Sequence, residues 1–381
     1  MSTLKVDGIR SNSATSDAIT LASNGTCTAN ITNNLSNRNL IINGAMQVAQ
    51  RGTSSTANTF GTVDRFSIYH NSADEAPTQA QADVASGTTP YTLGFRKAFK
   101  LTNGNQTGVG TSDILWIQHI IEAQNIANSG WNYTDTNSFI TLSFWIKSSV
   151  AQTFKGYLRT LDGTSQQYPF ETGSLSADTW TKVTKTIPGN SNLTFDNNNG
   201  SGLQINIIAF YGTSGTSNSV TEDAWGAYSS SARMEDNTST WWTTNDATLE
   251  ITGVQLEVGS VATDFEHRSF AQELALCQRY YYRTTEATTT NILNMAVETA
   301  TAAGGGQPFP TTMRASPSIT FGSGLSFFSA ATSGTTFSLT QNRSSSTHLA
   351  VFIGISGGTA GQAGSIFKSG SDAYIEANAE L

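Results

Sequence analysis

Phe139-Ile140-Thr141-Leu142-Ser143-Phe144-Trp145-Ile146-Lys147 alternates strictly, with Ile140, Leu142, Phe144 and Ile146 on one side and Thr141, Ser143, Trp145 and Lys147 on the other. Successive side chains of an extended chain point to opposite faces, so this pattern predicts a half-buried strand. Leu203, Ile205, Ile207 and Ala209 repeat it. Between Ala247 and Val258 the apolar set is Ala247, Leu249 and Ile251, then Val254, Leu256 and Val258. The phase slips by one residue at Gly253, as a β-bulge requires. Helical spacing is almost absent from this region. Ile114 to Ile126 is the exception, and is compatible with a strand followed by a short turn. Strands of this kind, separated by Gly, Asn, Ser and Thr loops, predict a mainly β fold with a jelly-roll β-sandwich over residues 37–268.

The flanking segments are β-rich but less self-sufficient. In residues 1–36, Ile19-Thr20-Leu21-Ala22 and Cys27-Thr28-Ala29-Asn30-Ile31 flank Asn24-Gly25, a strong hairpin signal. A lone hairpin is marginal in water, and Ile19, Leu21 and Ile31 are few apolar groups to hold it. Completion by copies of itself or by a docking partner is expected. After the sandwich, Ser269 and Gln272 form a capping box, and Phe270, Leu274 and Cys277 follow at i, i+4 and i+7. This short connecting helix, 269–283, ends in Tyr280-Tyr281-Tyr282. Its narrow stripe needs a partner surface, and self-association about a threefold axis would supply one. Residues 284–381 form a last β domain punctuated by Gly304-Gly305-Gly306, Phe309-Pro310 and Ser316-Pro317. Leu349, Val351, Ile353 and Ile355 alternate, and Ile366 to Ala377 predicts a strand pair around Ser369-Gly370. No long internal repeat is present, which counts against a β-helix or propeller.

Length and composition narrow the class. A chain of 381 residues suggests two or three domains. Charged residues are 13%, against about 25% in ordinary soluble domains, and Ser, Thr, Asn and Gly take their place. With 37% hydrophobic and 10% aromatic residues the chain is not disordered. A net charge of −8, with no Lys/Arg run longer than two, argues against nucleic acid and against anionic membrane surfaces. No stretch approaches ~20 apolar residues, so no membrane insertion is expected. Met1 to Arg10 lacks an apolar core, so no secretory signal is expected there either. Cys27 and Cys277 are expected as buried free thiols, not as a disulfide scaffold.

Several motifs carry a resemblance. Asn39-Leu40-Ile41-Ile42-Asn43-Gly44-Ala45-Met46-Gln47-Val48-Ala49-Gln50-Arg51-Gly52, followed by Asp64-Arg65-Phe66, resembles the opening of a sandwich domain common in tail-fibre and other structural proteins of phages, many from marine hosts. The resemblance continues through Thr179-Trp180-Thr181-Lys182, Ile187-Pro188-Gly189 and Asp196-Asn197-Asn198-Asn199-Gly200. It closes with Ile251 to Gly259, Ala262 to Glu266 and Cys277-Gln278-Arg279-Tyr280-Tyr281-Tyr282-Arg283. Met1 to Asp7, and Phe309-Pro310 with Met313-Arg314-Ala315-Ser316-Pro317, also look like phage fibre segments. It spans most of residues 1–320. Such domains are similar to carbohydrate-binding modules with a jelly-roll fold. The resemblance implies a homotrimeric fibre made in the host cytoplasm and assembled onto the virion, held to a head or tail protein through residues 1–36, with distal parts that meet the host. Where the family often has Pro between Thr263 and Phe265, this chain has Asp264.

The chemistry-bearing residues point to binding more than to catalysis. His70, His119, His267 and His348 lack metal-ligand spacing, and no nucleophile elbow, P-loop or dinucleotide fingerprint occurs. Glu222-Asp223 and Glu235-Asp236 are paired acids on loops, expected to be solvated; glycoside hydrolysis needs two carboxyls at a defined separation. Asp196 to Gly200 could hold calcium, but lacks EF-hand spacing and matches an ordinary Asx-rich turn. No enzyme activity, cofactor or metal is therefore expected. Trp225, Tyr228, Trp241 and Trp242 lie in polar loops, with Arg233, Asp236 and Asn237 nearby. Flat rings stack on sugar C–H faces while such polar groups bond hydroxyls, which makes these a candidate carbohydrate site. In a double Trp at a strand edge, however, a ring is often inside, and large aromatics dominate cores and interfaces alike. Trp116, Trp145 and Trp180 are expected in the core or on a sheet face. The function expected is a trimeric fibre that recognises a host surface glycan for adsorption. A purely architectural head or tail protein is the alternative, and a polysaccharide depolymerase the more distant one.

Overall fold

The computed structural model describes residues 6–13, 15, 18–21, 23, 27–29, 37–284 and 291–381. Three short strands open it: β1 (Gly8–Ile9), β2 (Ile19–Leu21) and β3 (Cys27–Ala29), in one antiparallel sheet of that order. The expected β2–β3 hairpin is present, with Leu21 opposite Cys27, while Asn24-Gly25 and Ile31 lie outside the described residues. Strand β1 had no sequence signal. Ile9 is 52% exposed and Leu21 39%, so among the described residues these side chains of the sheet are left largely in solvent.

The sandwich follows. Its strands are β4 (Ser54–Ser55), β5 (Phe66–Asn71), β6 (Thr78–Asp83), β7 (Lys97–Thr102), β8 (Ile114–Glu122) and β9 (Phe139–Ser148). After these come β10 (Thr153–Thr160), β11 (Gln166–Ser174), β12 (Thr181–Pro188), β13 (Ser201–Tyr211), β14 (Gly226–Ala227) and β15 (Thr248–Val258). Two short helices, α1 (Thr89–Thr92) and α2 (Ala123–Ala127), sit at strand ends. One sheet runs β12-β9-β15-β7-β6-β4 and the other β14-β11-β10-β13-β8-β5. All strand pairings are antiparallel; β6–β7 and β10–β11 are neighbours in one sheet, and most other successive strands cross between sheets as in a jelly roll.

The core lies between the sheets. Ile140, Leu142, Phe144 and Ile146 of β9 are all wholly buried, facing Leu203, Ile205 and Ile207 of β13. The second face of β9 is less open than the alternation implies, since Thr141 and Ser143 are buried too. Two segments are bonded to the neighbouring strand β15 of this sheet. Leu40 N donates to Leu256 O, Asn39 Nδ2 to Val254 O, and Glu266 N to Gln255 Oε1. The bulge falls where the pattern slips: the β15–β9 register shifts between Thr252 and Gln255, and Gly253 has φ +62°.

Helix α3 (Phe270–Gln278) carries the expected capping box, Gln272 N donating to Ser269 Oγ at 3.3 Å and Ser269 N to Gln272 Oε1 at 3.1 Å. Its apolar stripe needs no second subunit. Cys277, fully buried as a free thiol, packs with Ile42, Val48 and Tyr280, and Leu274 leans on the same cluster. Leu274 and Cys277 are thus taken by the chain itself, and only Phe270, 55% exposed, remains outside.

The last domain has its own core around Phe327, Leu349, Val351, Ile353 and Ile366. Its strands are β16 (Tyr281–Arg283), β17 (Asn291–Thr299), β18 (Ala302–Pro308), β19 (Ser318–Phe321), β20 (Leu325–Ser329) and β21 (Thr332–Thr335). Then follow β22 (Ser338–Asn342), β23 (His348–Gly354), β24 (Ala363–Lys368) and β25 (Ile375–Asn378). They form a seven-stranded sheet, β21-β20-β24-β17-β18-β23-β22, and a three-stranded one, β16-β25-β19. The strands expected between Ile366 and Ala377 exist but do not pair with each other. Ser369 and Gly370 donate to Gly324 O, which turns the chain out of one sheet and into the other.

The motifs behind the family resemblance meet at the junction of the two domains. Asn43 donates through Nδ2 to Val48 O and Asp64 O, and its backbone N–H is accepted by Glu273 of α3. Arg51 and Arg65 lie 3.5 Å over the rings of Tyr281 and Tyr280. Arg279 forks onto Glu122 at 2.7 and 2.8 Å.

Candidate functional site

The outer face of the β14-β11-β10-β13-β8-β5 sheet carries an ordered array of polar and aromatic groups. Its members are fixed by register. Tyr69 stands opposite Trp116, Trp116 opposite Ile208, and Ile208 opposite Lys155. The next row runs Ser67, Gln118, Asn206, Tyr157, and the third Ile120, Gln204, Arg159, Gln167. Their inward neighbours Leu115, Ile117, Leu203, Ile205 and Leu158 anchor the strands in the core. Each outward side chain is therefore held by the burial of the residues on either side.

Three rings stack at one edge: Tyr69 on Trp116 at 4.7 Å and Trp116 on Tyr211 at 5.6 Å. Beside them an amide ladder crosses the strands. Gln204 Nε2 donates to Gln118 Oε1 and to Asn206 Oδ1, both at 2.8 Å, and Trp116 Nε1 donates to Gln118 Oε1 at 3.3 Å. At the far edge the Arg159 guanidinium lies 3.7 Å over the Tyr228 ring. Part of this face is roofed. Met234, wholly buried, covers Tyr157 and Ile208, and Arg233 bonds the hydroxyls of Tyr228 and Tyr211 and the carbonyl of Ser230. Burial pushes the Tyr157 phenol up, so it stays neutral. Gln118, Arg159, Tyr228 and Tyr69 remain open to solvent in part.

The residues expected from sequence divide accordingly. Tyr228 and Arg233 are joined on this face. Trp225 is half-buried beside β14, its Nε1 donating to Pro188 O at 2.7 Å and its ring 5.3 Å from Tyr168. Asp236 is exposed farther along the same β14–β15 connection, but it is turned to another segment, bonded by Thr216 Oγ1 and, through its own N–H, to Asn218 Oδ1. Trp241 and Trp242 do not belong to any site, being 0% and 1% exposed. Trp242 stacks on Phe210 at 5.1 Å and donates to Asp113, while Trp241 donates to Thr248 O. Their Thr/Asn loop folds its rings into the gap at the sandwich end, where burial of large aromatics outweighs anything exposure offers.

Sequence reasoning missed Tyr69, Gln118, Arg159 and Gln204; it expected Trp116 in the core or on a sheet face, where it lies, but did not tie it to a site. The signal was present. The polar phase of the alternating strands carries Gln118, Gln204, Asn206 and Arg159, amides and a guanidinium where Thr and Ser would suffice for solubility.

The paired acids are not simply solvated. Glu222 and Glu235 converge with Glu171 on Lys155 Nζ, at 2.5, 3.1 and 3.2 Å. Burial raises the Glu222 carboxyl. Burial also works against the Lys155 charge, but the bonds from Glu222, Glu235 and Glu171 outweigh it and hold the ammonium above its ordinary range. The Asp196–Gly200 turn is bonded within itself and to the chain, Gly200 N to Asn198 Oδ1 and Asn128 Nδ2 to Asn197 Oδ1. Among the described residues no group of three or more His, Cys, Asp or Glu is placed to hold a metal. A cleft of about 630 Å3 opens between residues 37–42, α2 and α3, but Arg268 on its wall is spent on Ile41 O, Glu266 and Glu273.

No family model and no curated protein matches the chain. Among solved structures it is similar to the enzymatically active domain of tailspike protein 4 of bacteriophage CBA120, at 12% identity and TM-score 0.30, over 58% of this chain and 21% of that one. It is similar also to the N-terminal cellulose-binding domain of β-1,4-glucanase C of Cellulomonas fimi, at 10% identity and TM-score 0.27, over 56% and 99%. The family 11 carbohydrate-binding module of Clostridium thermocellum, in complex with a mixed-linked tetrasaccharide, gives 11% and 0.24, over 56% and 98%. At these values the likeness bears on neither ligand nor activity.

Proposed function

We propose that this chain is a non-catalytic virion fibre subunit, a homotrimer held to the particle through residues 1–36, whose sandwich binds a host surface glycan for adsorption. The observation that carries the binding role is the strip Gln118–Gln204–Arg159, flanked by Tyr228 on one side and Tyr69 on the other. Side-chain amides present donors and acceptors in fixed positions, and the flanking rings offer apolar faces, which together match a sugar's hydroxyls and C–H faces. The fibre role is supported by the family resemblance and by the exposed Ile9 and Leu21 of a sheet too small to stand alone. A binding role without hydrolysis is supported by Glu222 and Glu235, both spent on Lys155.

The test is a glycan array probed with the purified full chain, followed by titration of the best ligand against Gln118→Ala and Tyr228→Ala. Each is expected to weaken binding by at least about tenfold, the scale of a lost hydrogen-bonded or stacked contact. Unchanged affinity in both variants would remove this face from consideration. Light scattering is expected to give three times the 40.5 kDa chain mass; a monomer would overturn the assembly.

A further inference from the structure

Resting on that glycan-binding reading, we propose that the sugar taken by this face is acidic, and that Arg159 receives its carboxylate. The inference comes from how charge is distributed. Most cations of the sandwich are already neutralised: Lys97 by Asp83, Lys147 by Glu250, Lys155 by three glutamates, Lys185 by Asp223 and Arg268 by Glu266. Arg159 is not. Among the described residues its guanidinium has no carboxylate within ion-pair distance and no hydrogen-bond acceptor, and its Nε is buried without a partner. It is nonetheless held in place, its guanidinium carbon 3.7 Å over the Tyr228 ring centre and its backbone between Gln204 and Gln167 in the register.

A neutral polysaccharide needs no such group. Leaving a half-buried charge without a partner costs desolvation, which a ligand carboxylate would offset. The planar fork of arginine matches a carboxylate through two parallel N–H···O bonds, and ring stacking orients the fork in advance. A chain of net charge −8 repels an acidic polymer at long range, so recognition must be local.

Two neighbouring features bear on this. Lys155, Glu171, Glu222 and Glu235 crowd the other end of β10, and their carboxylates would disfavour an anion there. At about 3.3 Å per residue that cluster is roughly 13 Å from Arg159 along the strand, beyond the ~8 Å screening length at physiological salt. The acidic sugar is therefore placed at Arg159, and the rest of the glycan runs across the strands along Gln204 and Gln118, since Tyr157 and Ile208 on the way to Lys155 lie under Met234. Arg233 is a positioning residue. Its guanidinium is spent on the Tyr228 and Tyr211 hydroxyls and Ser230 O, and it fixes the ring on which Arg159 lies.

The experiment titrates the full chain with uronate oligosaccharides, from polygalacturonate, alginate and hyaluronan, and with the carboxyl-reduced form of each. At least one uronate is expected to bind, and to lose about tenfold or more on carboxyl reduction. Arg159→Gln is expected to lose as much on the unreduced ligand and nothing on the reduced one. Arg159→Lys, which keeps the charge without the fork, is expected to fall between. Equal binding of reduced and unreduced forms, or binding of neutral glycans alone, would overturn the carboxylate and leave the glycan reading standing. Failure of every acidic and neutral glycan to bind would overturn both.

Discussion

The guanidinium of Arg65 and the carboxylate of Glu380, 315 residues apart in the chain, form an ion pair in which the side chains are only 1% and 5% exposed. Arg65 belongs to the sandwich and Glu380 to the tail of the last domain. Arg65 also donates to Ile120 O and lies over Tyr280, while Arg51 reaches Glu380 at 3.2 Å and Asp64 at 3.7 Å. Among the described residues Glu380 is the one carboxylate that pairs with Arg65. The sandwich thus contains a buried cation whose counter-ion comes from another domain.

Replacing Glu380 with Gln keeps the shape and leaves Arg65 uncompensated. Removing one member of a buried pair typically costs about 3–5 kcal/mol. The seven tryptophans fall between Trp116 and Trp242, so tryptophan fluorescence reports the sandwich and not the domain that carries Glu380. Denaturant titration of Glu380→Gln is expected to show the fluorescence transition at markedly lower denaturant. An unmoved transition would mean that the sandwich holds its cation without help.

Asp64 gives the junction a pH dependence. Burial raises its carboxyl from 3.8 to about 6, against the pull of Arg51 and the Gln50 side chain. The folded protein therefore holds this proton more tightly than the unfolded chain. Stability from this group is fully present below about pH 3.8 and is lost as pH rises through about 6. Two units correspond to about 3 kcal/mol. Other acids titrate in the same range, so the comparison is with Asp64→Asn, which is expected to lose the downward slope between pH 4 and 6. Parallel stability profiles for the two proteins would count against the assignment.

What could be foreseen from the sequence was local. The period of β9, the slip at Gly253 and the Ser269–Gln272 cap each depend on residues within a turn or a strand of one another, and each is where the pattern puts it. What depended on distant pairing could not be foreseen. Leu274 and Cys277 looked unpartnered because Ile42 and Val48, which cover them, lie over 200 residues earlier. Strands β24 and β25 looked like a hairpin because nothing local reveals that Gly324 draws the chain between sheets. The candidate site was half legible. Tyr228 and Arg233 stood out as loop residues, but the strip beside them exists only once β8, β13 and β10 are in register.

Trp241 and Tyr228 should separate stability from binding. Trp241 is wholly buried, and Trp→Ala in a core typically costs about 3–5 kcal/mol through lost burial and the cavity left behind. Trp241→Ala is expected to lower the unfolding midpoint strongly while the folded fraction keeps its glycan affinity. Tyr228→Ala is expected to do the reverse, since its ring is half open and serves Arg159. A Trp241 variant that is stable but unable to bind would return that ring to the site.

Gly253 tests whether the bulge is required or merely tolerated. Its φ of +62° is a left-handed conformation that side chains resist, and a Cβ there would lie 2.6 Å from the Phe95 ring. Phe95 cannot easily withdraw, being 2% exposed and packed against Phe265 at 4.9 Å and His267 at 5.1 Å. Strain and overpacking each cost on the order of 1–3 kcal/mol. Gly253→Ala is therefore expected to destabilise the sandwich by a few kcal/mol, read as a lower midpoint in the same fluorescence titration. The one-residue insertion at Thr252–Gln255 lets Gln255 bond Glu257 and Glu266 while Leu256 stays in the core, so loss of the bulge would set those two demands against each other. A neutral outcome would mean that β15 can shed the bulge and repair its register with β9.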